Sequence, residues 1–159
     1  AELGLAFAFA HHISPEPAVA ALRFYRERFR PSSWLAAPRA MLTVSAVCAP
    51  TDEEADELAR SSDLAILRLY AGHLEPLRSV EDATAYPYSP EERAWVRAKR
   101  ARIFVGTPAS VRERLTRLAE EAGVDEVMVT TMTYEHALRK RSYALLAEAF
   151  GIDQPSGVT

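Results

Sequence analysis

The feature that most constrains this chain is the alternation, along almost its whole length, of short apolar runs with helix-patterned stretches. Leu5 to Ala10 follows Gly4, is continuously apolar, and stops at His11-His12-Ile13-Ser14-Pro15, as a buried strand does. Ser14 is expected to cap the next helix with Pro15 at its first position, where a missing N–H costs nothing. Ala18, Leu22, Tyr25 and Phe29 then recur at i, i+4, i+7 and i+11, one apolar helix stripe. Arg23, Arg26, Arg28 and Arg30 lie mostly off it and read as a solvated face.

Pro31 ends that helix, and Ser32 to Pro38 reads as loop. Met41 to Val47 is apolar and β-branched enough to be a second strand. Thr51-Asp52-Glu53-Glu54 has the spacing of a capping box and opens a helix running to about Tyr70. From Ala71 to Pro90 the pattern breaks, with Gly72, Pro76, Pro87 and Pro90, and this stretch is expected to be a lid or disordered. Ser89-Pro90-Glu91-Glu92 is a further capping box before a helix with Trp95 and Val96 on its apolar side. Trp34 and Trp95 are expected as core anchors. Ile103 to Gly106 is a brief apolar segment. Thr107-Pro108 begins a helix in which Val111, Leu115, Leu118 and Ala122 share one face, with Gly123 as its stop. Glu126 to Thr131 is the third strand, Glu135 to Phe150 the closing helix, and Gln154 to Thr159 a polar tail expected to fray.

Alternation of this kind defines an α/β chain built from βαβ units, with parallel strands and right-handed crossovers. Three strands with few polar positions want neighbours on both edges and helices on both faces, and the chain does not supply all of them. Its 159 residues are the length of one domain. Composition removes several function classes. The formal net charge is −3 and no Lys/Arg block occurs, so the clustered cations that hold a phosphate backbone are missing and no nucleic-acid partner is expected. The longest apolar run, Leu3 to Ala10, falls far short of the roughly 20 residues of a membrane span, so no membrane partner is expected. Cys48 is the single cysteine, which excludes an intramolecular disulfide and a Cys-rich metal site and fits a reducing, cytoplasmic setting. The chain opens with Ala-Glu-Leu-Gly and no initiating Met, so it is expected to begin inside a longer product, after processing, or at a cloning boundary.

Five segments, in this order and spacing, carry a resemblance: residues 2–11 with His12, Tyr25-Arg26-Glu27-Arg28-Phe29-Arg30-Pro31-Ser32, Thr51-Asp52-Glu53-Glu54-Ala55, Phe104-Val105-Gly106-Thr107-Pro108, and Asp125-Glu126-Val127-Met128-Val129-Thr130-Thr131. Together they resemble the C-terminal half of luciferase-like flavin-dependent monooxygenases of the bacterial type. The resemblance covers residue 2 to about 150, with an irregular insertion at about 71–90 and a flexible tail at 151–159. It implies part of a TIM (β/α)₈ barrel, a fold that needs about 250 residues. Leu5–Ala10 would then be the sixth barrel strand, Met41–Val47 the seventh and Glu126–Thr131 the eighth. It also implies reduced flavin, FMN or alternatively F420, acting on a small organic substrate. The family's earlier strands, and the Gly-Ser-Ser-like segment that helps to hold the flavin phosphate, have no counterpart here. No tight flavin binding by this chain alone is therefore expected.

In such barrels the active site lies at the C-terminal strand ends. His11 and His12 end the first strand, and the resemblance makes them catalytic candidates: one can bond flavin or substrate, or act as acid or base near neutral pH. The plainer reading is a loop histidine capping the next helix. Adjacent strand residues face opposite ways, so the pair is a poor metal chelate, and no metal is expected. Ser45, Thr130 and Thr131 end the other two strands and are the cofactor-binding candidates, with ordinary strand packing as the alternative. Tyr134 and His136 read as packing and cap residues, and Cys48 as a small buried hydrophobe. The helix start at Thr107-Pro108-Ala109-Ser110 can take a phosphate, though capping is the commoner use. No Gly-x-Gly-x-x-Gly or P-loop is present.

Two expectations of different class stand side by side. One is a part of a flavin enzyme. The other is a non-catalytic, truncated α/β module that binds no flavin and self-associates, as a homo-oligomer, through its exposed strand edges.

Overall fold

A computed structural model of the chain describes residues 1–152; the expected tail at 154–159 lies outside them. The elements run β1 (Phe7–Ala10), α1 (Ala18–Arg28), β2 (Ala40–Cys48), α2 (Asp52–Tyr70), α3 (Val80–Ala85), α4 (Pro90–Arg100), β3 (Phe104–Gly106), α5 (Pro108–Ala122), β4 (Glu126–Thr130) and α6 (His136–Ala149). All recorded strand pairs are parallel and all involve β2, and the sheet is not closed. The result is the open α/β arrangement of part of a (β/α)₈ barrel. The brief segment at 103–106 contributes a fourth strand, β3, against the end of β2. The chain divides into two compact units, residues 1–45 with 114–130, and 46–113 with the residues from 131 onward.

In the first unit β1 and β4 flank β2, with Ala8 opposite Met41, Thr43 opposite Met128, and Ser45 opposite Thr130. Side chains alternate across a strand, so register assigns the two faces. Ala40, Leu42 and Val44 are buried on one face, where Phe7 of β1 meets Tyr25 of α1 at 5.3 Å between ring centroids. The Tyr25 hydroxyl donates to the carbonyl of Leu5 (2.8 Å), tying helix to strand. On the other face lie Ala8, Ala10, Met41, Thr43, Ser45, Glu126, Met128 and Thr130, none of them buried. Met128 is 52% exposed, an unusual position for a strand methionine. Gly4 takes a left-handed φ of +62° where the chain turns into β1, and a Cβ there would meet the Arg30 carbonyl oxygen at 2.6 Å.

In the second unit Val47, Ala49, Ala55, Leu58 and Ala59 form a buried cluster to which Val105 and Leu138 add. α2 packs on α3, α4 and β3. Thr51 caps α2 by accepting the Glu54 N–H at 3.1 Å, and Ser89 with Glu92 forms a full capping box on α4. Gly123 stops α5 with φ +63°, as its position predicts.

Three expectations need correction. Ser14 and Pro15 do not open α1: the residue before a proline disfavours helical ψ, so Pro17 keeps Glu16 out of the helix, and α1 begins at Ala18 with no side-chain cap. Trp34 is not a core anchor but 83% exposed. The Ser32 hydroxyl accepts the N–H groups of Trp34 (3.1 Å) and Leu35 (3.2 Å), fixing a local turn in which the ring faces out. The 71–90 stretch is not uniformly irregular, because Ser79 caps the short α3 by accepting the Asp82 N–H and Ala83 is buried. Trp95 is part-buried, 5.2 Å from the Tyr70 ring. Among the described residues no helix is long and apolar enough to cross a membrane, and no cluster of three or more His, Cys, Asp or Glu is placed to hold a metal.

Candidate functional site

The C-terminal strand ends of the first unit place three of the candidates close to one another. β1 runs directly into a tight turn, closed by the His11 N–H donating to Phe9 O (3.1 Å) and the Ile13 N–H to Ala10 O (3.1 Å). That turn separates the two histidines. His11 is buried, and its pKa is lowered first by burial and then by the neighbouring His12, against a weaker opposing pull from Glu16. His12 is exposed, and the Thr43 carbonyl accepts both its backbone N–H (3.2 Å) and its ring Nδ1 (3.1 Å). A carbonyl only accepts, so this contact selects the tautomer with the proton on Nδ1. Nε2 is left with the lone pair, so it can accept a hydrogen bond.

Ser45 and Thr130 are register partners on the open face, both half-buried; Thr130 closes β4, whereas Ser45, expected to end its strand, lies within β2, which runs on to Cys48 because β3 pairs with its last residues. Two hydroxyls side by side can each donate and accept, which suits a polar ligand group lying across the strand ends. Further back on the same face the residues become Thr43 and Met128, then Met41 and Glu126.

Thr131 belongs to the second unit. Its backbone N–H donates to the Tyr143 hydroxyl at 2.9 Å, and its own hydroxyl is buried with no hydrogen-bond partner among the described residues. Ser142, fully buried on α6, accepts the Cys48 N–H at 2.8 Å. Burial raises the Cys48 thiol to about 11, so no thiolate nucleophile is present at neutral pH. Tyr134, read as a packing residue, is instead 52% exposed, while His136 takes a 2.8 Å contact from Arg139 Nη2 and does not cap α6. The Thr107 N–H is already used, donating to Asp52 Oδ1 at 3.0 Å, so a carboxylate occupies the place an added phosphate would take. The roles of the Thr43 carbonyl and of Tyr143 were not foreseen. The helical spacing of Tyr143 says nothing of a strand end twelve residues earlier, and a backbone acceptor leaves no mark in sequence.

This geometry accords with the comparisons. A family model described as luciferase-like monooxygenase matches residues 1–131. The uncharacterized protein YceB of Bacillus subtilis (strain 168) is 39% identical over 150 residues, covering 94% of this chain and 45% of YceB. A luciferase-like monooxygenase of Escherichia coli (strain K12) is 33% identical over 145 residues, covering 91% of this chain and 43% of its own. Among solved structures, apo-MsnO8 superposes with a TM-score of 0.84 at 34% identity, over 96% of this chain and 47% of MsnO8. The chain thus spans less than half the length of the relatives it matches. With a match running from residue 1 through the strand-end residues His11, Ser45, Thr130 and Thr131, the chain belongs to the luciferase-like monooxygenase family, a family of oxidoreductases.

Proposed function

We propose that this chain is the C-terminal part of a flavin-dependent monooxygenase acting on a small organic substrate, with FMN as its flavin and F420 as the alternative. Reduced flavin, when bound, would supply two electrons to dioxygen, the oxidant, one oxygen atom of which enters the substrate while the other leaves as water. The observation that carries the reading is the in-register pair Ser45 and Thr130, two hydroxyls side by side on parallel strands of an otherwise uncovered face. Ser45 and Thr130 would orient the flavin through their hydroxyls; in the second unit the buried Thr131 hydroxyl, unpartnered among the described residues, is a separate candidate contact. His12 accepts a proton at Nε2 while the Thr43 carbonyl fixes its ring. His11, held neutral by burial, orients its neighbour. The setting is cytoplasmic.

The exposed Met128 and the unpaired outer edges of β1 and β4 favour a second reading, in which the chain self-associates as a homo-oligomer and binds no flavin. One titration separates them: flavin fluorescence quenching with FMN and with F420, alongside light scattering. Saturable quenching that weakens in Ser45→Ala and Thr130→Val supports the enzyme reading. An unquenched flavin with a defined oligomer that dissociates in Met128→Lys supports the second.

A further inference from the structure

A cavity of about 370 Å³ in the second unit opens between α2, α3 and α4. Its lining includes Arg60, Arg93, Arg97, Thr84, Tyr88 and Asp63. Three cations against one carboxylate is an unbalanced wall, and the carboxylate is already engaged. Asp63 is 8% exposed and takes a two-pronged contact from Arg100, whose Nε lies 2.9 Å from Oδ1. Arg100, itself outside the lining, also reaches Asp56 Oδ1 at 2.8 Å, so its charge is spent on these two carboxylates.

The three lining arginines have no such hydrogen-bonded carboxylate, although the charge of Arg60 does pull on the Asp63 carboxyl. Arg60 donates to the Thr84 hydroxyl at 3.0 Å, and Arg93 Nε donates to the Tyr88 carbonyl at 3.2 Å while its guanidinium lies 5.8 Å from the centre of the Tyr88 ring. Neither contact neutralises a charge. Among the described residues Arg60, Arg93 and Arg97 form no ion pair. Like charges gathered round one concavity repel, and a small anion relieves that repulsion while collecting the spare guanidinium N–H groups. Burial also raises the Tyr88 phenol above its ordinary range, so it stays a neutral O–H beside the arginines.

We propose that this cavity binds a phosphate group, with Arg60, Arg93 and Arg97 as its ligands. The shared chemistry is a doubly charged tetrahedral oxyanion, whether free or carried as an organic phosphate monoester. At about 370 Å³ the cavity has room for an organic part beside the phosphate, with Val96 and the Tyr88 ring as its apolar wall.

The test is NMR titration of the full chain with inorganic phosphate and separately with phenyl phosphate, at ionic strength held constant with chloride. Saturable shifts are expected on α2, α3 and α4, and binding should weaken about tenfold in Arg97→Gln and in Arg93→Gln, since each loses a charge-assisted contact. Arg23→Gln, which makes the same charge change on the exposed face of α1, should bind as the parent does. Tighter binding of phenyl phosphate assigns the site to a monoester, and equal binding assigns it to free phosphate. Shifts that never saturate, or equal weakening in Arg23→Gln and Arg97→Gln, overturn the proposal.

Discussion

Arg100→Met is the sharpest probe of the second unit, because it strips a buried carboxylate of its partner. Asp63 is 8% exposed, and Arg100 keeps 20% of its side chain in contact with solvent. Removing one member of a buried pair costs roughly 3–5 kcal/mol, and the partial exposure of Arg100 places this case near about 3. The arm to Asp56 adds little, since that side chain is 71% exposed and surface pairs contribute less than about 1 kcal/mol. With a urea slope of about 1–3 kcal/mol per molar, the unfolding midpoint should fall by about 1–3 M.

The pH dependence of that loss is the stricter test. Burial already raises the Asp63 carboxyl above its ordinary value of 3.8, against the lowering pull of the Arg100 hydrogen bond and charge. Without Arg100 both lowering influences vanish and the folded pKa rises further. A carboxyl raised in the folded state contributes stability that is complete below 3.8 and is lost as pH rises through the folded pKa. Arg100→Met should therefore be mild in acid and most damaging at neutral pH. Adding Asp63→Asn should recover most of the loss, because an amide carries no charge to strand. The reasoning is refuted by a midpoint loss that is the same in acid as at neutrality and that the double variant does not recover.

Other perturbations follow from single contacts. Ser142→Ala leaves the buried Cys48 N–H without its acceptor and should cost about 1–3 kcal/mol in denaturant unfolding. Cys48 should resist a thiol reagent in the folded protein at neutral pH, its thiol being held at about 11, and react only on unfolding; prompt native-state reaction would contradict the assigned burial. Gly4→Ala meets both a left-handed φ and the Arg30 carbonyl, so its loss of stability should exceed the roughly 1–2 kcal/mol of left-handed strain alone. His11 should titrate below 6.5 by NMR. Because its folded pKa is depressed, it contributes stability that is present above 6.5 and lost as pH falls through the folded value, and His11→Gln should flatten that part of the acid limb.

How much of this could be read from sequence depends on the range of the interaction. Met41 to Val47 is legible as a strand because β-branched and apolar residues fit a pleated sheet wherever they stand. Ser89 to Glu92 and Gly123 are legible because a cap is a contact within four residues. Trp34 is misread because hydrophobicity argues for burial while the Ser32 turn decides the outcome. The short α3 has too few turns to show a period, and β3 too few residues. The Asp63–Arg100 pair spans 37 residues and joins two helices, and nothing local to either residue announces it.

The strand-end candidates sit between these cases. That Thr130 ends a strand and Ser45 lies within one is a local property, but that they stand opposite one another is a register, set by β4 pairing to Met41–Ser45. A shift of β4 by one residue would turn Thr130 toward the helix side and bring Val129 to the open face, exchanging a hydroxyl for an isopropyl group at the strand ends. The observed register instead grades each strand, from Met41 through Thr43 to Ser45 and from Glu126 through Met128 to Thr130. At this level both strands carry a hydroxyl on one uncovered face, and on that register the proposed flavin contacts depend.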